Sequence, residues 1–191
     1  MWFSHLDLMR AMSRALRRSG LDIWMSEGYT PRPHIVFTPP LSLGFESTCE
    51  IMDFRLNLGA TYDKDALMSC FPPALSVNDI YVPHTKQKSI VYADYTLTLD
   101  EYDDEKIREL FSKPVMMLKK TKRSEVTEDI TTFIKAFEIS GGIIKTTLCC
   151  NAERTLNPSY ILKAIEGLGY DMSTAHVCRT AFRKENMTIF K

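Results

Sequence analysis

The period of the hydrophobic positions changes several times along the chain, and each change marks an expected element. From Leu6 onward, Leu6, Met9, Met12 and Leu16 recur at helical spacing. Arg10, Arg14, Arg17 and Arg18 project from another side of that helix. Ser4 is placed to cap it, with Asp7 in the capping-box position, and Gly20 stops it after Ser19. Strands are expected at 21–25, 35–38, 49–58 and 77–82, with a short helix at 63–71 ended by Pro72-Pro73.

Past a polar connector, the β-branched and aromatic run at 90–99 reads as a strong strand. A helix at 101–112 turns Ile107, Leu110 and Phe111 inward, and a strand follows at 115–119. Lys119, Lys120, Lys122 and Arg123 form a basic turn, and 126–130 fits neither period. Residues 132–139 and 143–150 form a hairpin across Gly141-Gly142. Asn157-Pro158 starts a helix that ends at Gly167 or Gly169, and 175–183 is the last strand. Met1-Trp2-Phe3 reads as the tail of a strand, which implies a truncated start.

The order is β-α-β-β-α-β, twice. The expected class is α+β, with two ferredoxin-like halves and antiparallel sheets, at 1–85 and 86–191. The halves do not visibly match in sequence, so a single continuous α+β domain is the competing description.

Composition changes this picture little. Hydrophobic residues are 45% of the chain and charged residues 25%, enough for a core without metals or disulfides. Formal net charge is +0, so any nucleic-acid site must be a local patch. The five cysteines are odd in number, Cys149 and Cys150 are adjacent, and no CxxC or Cys/His zinc spacing occurs. Reduced thiols in a cytoplasmic protein are expected, with no metal and no cofactor. No apolar run approaches a membrane span, and the first residues lack a signal-peptide pattern.

The candidate chemistry is concentrated near the N-terminus. After Asp7 the helix carries no further carboxylate, so most of its arginine charge is locally unpaired and suits phosphate. An ordinary solvated face is the alternative. Gly28, Pro31 and Pro33 stiffen a loop that presents Tyr29, Arg32 and His34, with Tyr29 as a ring for a base. The same prolines also fit a plain connector. Arg154 and Arg179 extend the positive surface from the second half, or sit as solvated edge residues. His5 and His34, with Glu46, form an alternative acid–base set, as in metal-independent nucleases. The small-residue turn 40–47 lacks the GKS/T element of a phosphate-binding loop.

The segments Phe-Ser-His-Leu-Asp-Leu-Met-Arg at 3–10, Ser-Glu-Gly-Tyr-Thr-Pro-Arg-Pro-His at 26–34 and Pro-Leu-Ser-Leu-Gly-Phe-Glu-Ser at 40–47 together resemble the bacterial radical-SAM-linked (radical-SAM-associated) domain of unknown function. The resemblance extends through Asn157-Pro158 and Arg179-Thr180. The chain departs from it at the shortened first strand, at Thr30, where the family has Asn, and at Arg32, where His is common. The resemblance implies a domain that follows a radical S-adenosylmethionine enzyme module or stands alone. It also implies an RNA-related role. The chain has no CxxxCxxC motif for the cluster itself. The expected function is a non-catalytic accessory domain that binds RNA or a ribonucleoprotein beside that enzyme. The alternatives are the nuclease and a protein-interaction module for the radical enzyme.

Overall fold

The structure, a computed structural model, describes residues 4–73, 75, 77–120 and 125–190. The expected strand tail at 1–3 and Lys122 and Arg123 of the expected turn lie outside the described residues, as do the side chains of Lys119 and Lys120. The chain divides into two units. The first comprises Met1–Leu43 and Glu50–His84, the second Gly44–Cys49 and Thr85–Lys191.

The first unit opens with α1 (His5–Arg18). Ser4 Oγ accepts the Asp7 N–H at 3.2 Å, and its hydroxyl donates to Asp7 Oδ2 at 2.6 Å. Gly20, at φ +70°, ends the helical path. The helix buries Ala15 and Leu16, with Met12 packed against the same core, whereas Leu6 is 54% exposed and Met9 also faces solvent. The inward stripe is therefore rotated from the expected one. Ala15, small and easily discounted beside leucines, is on the buried face.

The strands of this part are β1 (Ile35–Phe37), β2 (Glu46–Ser47) and β3 (Met52–Phe54). β1 and β3 pair antiparallel, while β2 belongs to the second unit. The segment expected as a strand at 21–25 makes single bridges, Ile23 to Leu56 and Met25 to Pro33. The strand expected at 49–58 contracts to β3, and the described residues of 77–82 are not a strand. A short helix, α2 (Lys64–Ser69), is capped by the Asp63 carboxylate. Among the described residues this unit's sheet has two strands, not the four of the expected first half. Its core gathers Ala15, Leu16, Ile23, Leu67 and Phe71, with Met25, Ile35, Met52, Phe54 and Leu56 packed against them.

The second unit continues with β4 (Tyr92–Thr98), α3 (Asp104–Phe111), β5 (Met116–Lys120), β6 (Glu125–Asp129), β7 (Ile134–Ser140), β8 (Ile143–Cys149), α4 (Ser159–Glu166) and β9 (His176–Arg183). Its main sheet runs β2-β9-β4-β8-β7. β2 is parallel to β9, and the other pairs are antiparallel. β5 and β6 form a separate antiparallel ladder, so the ambiguous stretch at 126–130 is mostly strand. Asn157 Oδ1 accepts the Ser159 N–H at 2.9 Å, and Pro158 already has helical angles.

Register fixes which side chains share the inner face. Leu97 lies level with Ile144 and Val177, Tyr95 with Thr146 and Arg179, and Ala93 with Leu148 and Phe182. All nine are buried. On the other face, Arg183 donates from Nε and Nη2 to Asp94 Oδ2, both at 2.7 Å, and the Thr147 hydroxyl donates to Asp94 Oδ1.

Two carboxylates bind backbone at turns. Asp129 Oδ1 accepts from the Thr131 hydroxyl and from the N–H groups of Thr131 and Val115. These bonds, the Thr131 hydroxyl foremost, hold its pKa below the ordinary 3.8. Asp103 caps α3 through the N–H groups of Lys106 and Glu105, which likewise lower its pKa. A carboxyl whose folded pKa is depressed contributes stability above its unfolded pKa and loses it as pH falls through the folded value. Urea midpoints are therefore expected to hold steady from neutral pH to about pH 5 and to drop below about pH 4. Asp129→Asn is expected to flatten part of that drop, and an equally steep drop in the variant contradicts the assignment.

Candidate functional site

The loop after residue 25 is closed by backbone pairing. The Ser26 N–H donates to the Arg32 carbonyl at 2.8 Å, the Arg32 N–H donates to Ser26 Oγ at 3.0 Å, and Met25 bridges to Pro33. Gly28 takes φ +118°, which a side chain would resist. Tyr29 at the tip is fully exposed, and Arg32 and His34 are also exposed.

A side-chain bond from α1 reaches this loop. Arg17 Nη2 donates to the Pro31 carbonyl at 2.9 Å. Arg10, Arg14 and Arg17 succeed one another at helical i,i+4 and i,i+3 spacing, so they share one side of α1. Arg10 meets Asp7 at 3.7 Å in an exposed pair, which holds it weakly. Arg14 is exposed and makes no ion pair among the described residues. Arg18 departs from the stripe: its Nη2 donates to the Cys70 carbonyl at 3.4 Å, at the C-cap of α2.

A second cluster was not anticipated from the sequence. Three chain segments meet through a closed ring of backbone bonds. The Trp24 N–H donates to the Arg55 carbonyl (2.9 Å), the Arg55 N–H to the His34 carbonyl (3.3 Å) and the His34 N–H to the Trp24 carbonyl (3.3 Å). Their neighbours Ile23, Met25, Ile35, Phe54 and Leu56 pack on the core. Strand alternation therefore sends Trp24, His34 and Arg55 outward. The Trp24 and His34 rings meet edge to face with centroids 5.7 Å apart, and the Arg55 guanidinium lies 5.0 Å from the Trp24 ring centroid. Trp24 is half-buried, while His34 and Arg55 are exposed. An exposed cation–π contact of this kind contributes about 0.5–1 kcal/mol.

The alternative acid–base set is not assembled within either unit. His5 packs edge to face on Phe37, and His34 packs on Trp24. Glu46 lies in the second unit, on β2, where His176 Nε2 meets its carboxylate at 3.0 Å. The two second-unit arginines expected on the surface are placed differently from each other. Arg154 Nη2 donates to the Thr132 carbonyl at 3.0 Å, and its guanidinium lies 4.8 Å from the Phe133 ring centroid. It is exposed, yet held by its own unit. Arg179 is only 2% exposed, and its Nε donates to the Tyr95 hydroxyl at 3.1 Å. It is a core residue, not part of a positive surface, because the β9 register turns it to the inner face.

Among the described residues no group of three or more His, Cys, Asp or Glu side chains is placed to hold a metal, and no helix is long and apolar enough to cross a membrane. Burial, and then the neighbouring Glu46 carboxylate, push the Cys178 thiol up, away from the reactive thiolate form. A family model described as an uncharacterized protein conserved in bacteria (DUF2344) matches residues 1–158. No curated protein and no solved structure matches the chain.

Proposed function

The chain belongs to this bacterial family, and we propose that it is a non-catalytic accessory domain that binds single-stranded RNA, or an RNA-containing assembly, through its first unit. In this reading it works in the cytoplasm beside a radical S-adenosylmethionine enzyme and presents the RNA to it. The observation that carries the reading is the bond from Arg17 to the Pro31 carbonyl. It sets the arginine side of α1 against the loop whose tip is the fully exposed Tyr29. Arg10, Arg14 and Arg17 then supply fork-shaped donors to phosphates, and Arg32 adds another from the loop. Tyr29 and His34 offer rings to bases.

We read the second unit as ferredoxin-like. In support, strands β9-β4-β8-β7 are joined as β-α-β-β-α-β, with β5–β6 as an inserted hairpin. A second reading, docking onto the radical enzyme as a protein, is favoured by the exposed Met116 and Leu118 on β5.

Binding of a labelled single-stranded RNA at increasing salt tests the proposal. Three to four arginine–phosphate contacts are expected to give a log–log slope of roughly −2 to −3, at about −0.7 per contact. Arg14→Gln is expected to make that slope shallower by about 0.7. Absence of binding, or binding indifferent to salt, overturns the reading. RNA-independent capture by a purified radical enzyme, lost in Leu118→Asp, supports the second reading instead.

A further inference from the structure

We infer that Trp24, His34 and Arg55 form a stacking platform for one unpaired nucleobase, with Arg55 serving the adjoining phosphate. This rests on the RNA reading above, which already gives His34 a base, and adds Trp24 and Arg55 to it. The three residues come from separate segments, yet the closed ring of backbone bonds fixes their roots together. Their inward neighbours already supply the core, so the outward rings are not needed for packing there. Half-burial holds the Trp24 ring in place, and an exposed guanidinium and the edge-on His34 ring lie against it.

Arg55 makes no ion pair among the described residues, so a ligand meets only the cation–π contact when it draws the guanidinium away. A base gains more on an indole face than an exposed cation does. A stacking base therefore displaces the guanidinium, whose fork is then free to bind the phosphate beside that base. Both ligand features, a π-face and an anion on a short tether, occur together in a nucleotide. The loop bearing Tyr29 springs from the same two segments as Trp24 and His34, since Met25 bridges to Pro33 at its foot. A strand of RNA held by that loop has its next bases within reach of this face.

The test uses the full chain carrying Trp2→Phe, which leaves Trp24 as its single tryptophan. Titration with a single-stranded oligonucleotide is expected to quench Trp24 fluorescence. By anisotropy of a labelled oligonucleotide, Trp24→Ala is expected to bind roughly 5- to 150-fold more weakly, and Trp24→Phe to retain most of the affinity. Arg55→Gln, on an exposed side chain, is expected to weaken binding and to make the salt slope shallower by about 0.7. An abasic oligonucleotide is expected to bind the parent and Trp24→Ala alike. If oligonucleotide binds without quenching, and Arg55→Gln binds like the parent, the platform is overturned while the RNA reading stands. If no oligonucleotide binds, both fall. If free adenosine monophosphate binds as tightly as the oligonucleotide, the ligand is a mononucleotide and the RNA form of the proposal is overturned.

Discussion

Arg179→Ala is expected to cost the second unit about 3–5 kcal/mol, the largest stability loss of any arginine substitution considered. Its position on β9 is level with Tyr95 on β4, on the face that buries Leu97, Val177 and Phe182. Truncation empties the volume of a long side chain in that core and leaves the Tyr95 hydroxyl without its Nε donor. The guanidinium also lies 4.9 Å from the Phe182 ring centroid and 5.5 Å from that of Tyr95. Arg179→Met restores much of the volume and is expected to cost less, about 1–3 kcal/mol, because the bond from Nε to the Tyr95 hydroxyl is still lost. Urea midpoints with the slope held constant read these differences. A midpoint for Arg179→Ala equal to that of the parent contradicts the core assignment and returns Arg179 to the surface.

The second large effect is expected at the β7–β8 turn. Gly141 and Gly142 both have positive φ, 58° and 72°, as a two-residue hairpin turn with the right twist requires. Asp104, at the first position of α3, accepts both of their N–H groups, at 2.6 and 3.1 Å. A Cβ at Gly141 meets nothing within 4 Å, so Gly141→Ala bears only the left-handed backbone cost, about 1 kcal/mol. A Cβ at Gly142 would lie 2.5 Å from the Tyr102 ring and 3.0 Å from the Leu99 carbonyl oxygen. The exposed Tyr102 ring can turn aside, but the Leu99 backbone is held against the turn, because its N–H donates to the Gly142 carbonyl at 2.9 Å. Gly142→Ala is therefore expected to cost about 2–3 kcal/mol, clearly more than its neighbour. Equal thermal midpoints for the two variants contradict this account.

The elements legible in the sequence are those written in local chemistry. Ser4 and Asp7 at the start of α1, Gly141-Gly142 in the hairpin and Asn157-Pro158 before α4 each satisfy nearby backbone groups. What lay beyond reading depends on long-range pairing. Arg179 looks like any strand arginine until its register with Tyr95 is known. Arg18 looks like part of a stripe until the Cys70 carbonyl is seen beside it. Trp24 and Arg55 are distant in sequence, and only the ring of backbone bonds with His34 makes them neighbours. Leu21, Ile23 and Met25 alternate like a strand, but the ladder there closes after single bridges, so the pattern overstated the element. For the candidate site, the basic helix and the proline-rich loop were visible as separate pieces. Their connection through Arg17 and Pro31 was not.

The parallel pairing of β2 with β9 has a consequence for biosynthesis. The Thr48 N–H meets the Arg179 carbonyl 131 residues away in the chain. During translation this short segment emerges long before the strand it must zip against, so the outermost position of the sheet is filled last. Until the C-terminal strand appears, β2 has no ladder to join, and the wait is set by the ribosome rather than by diffusion.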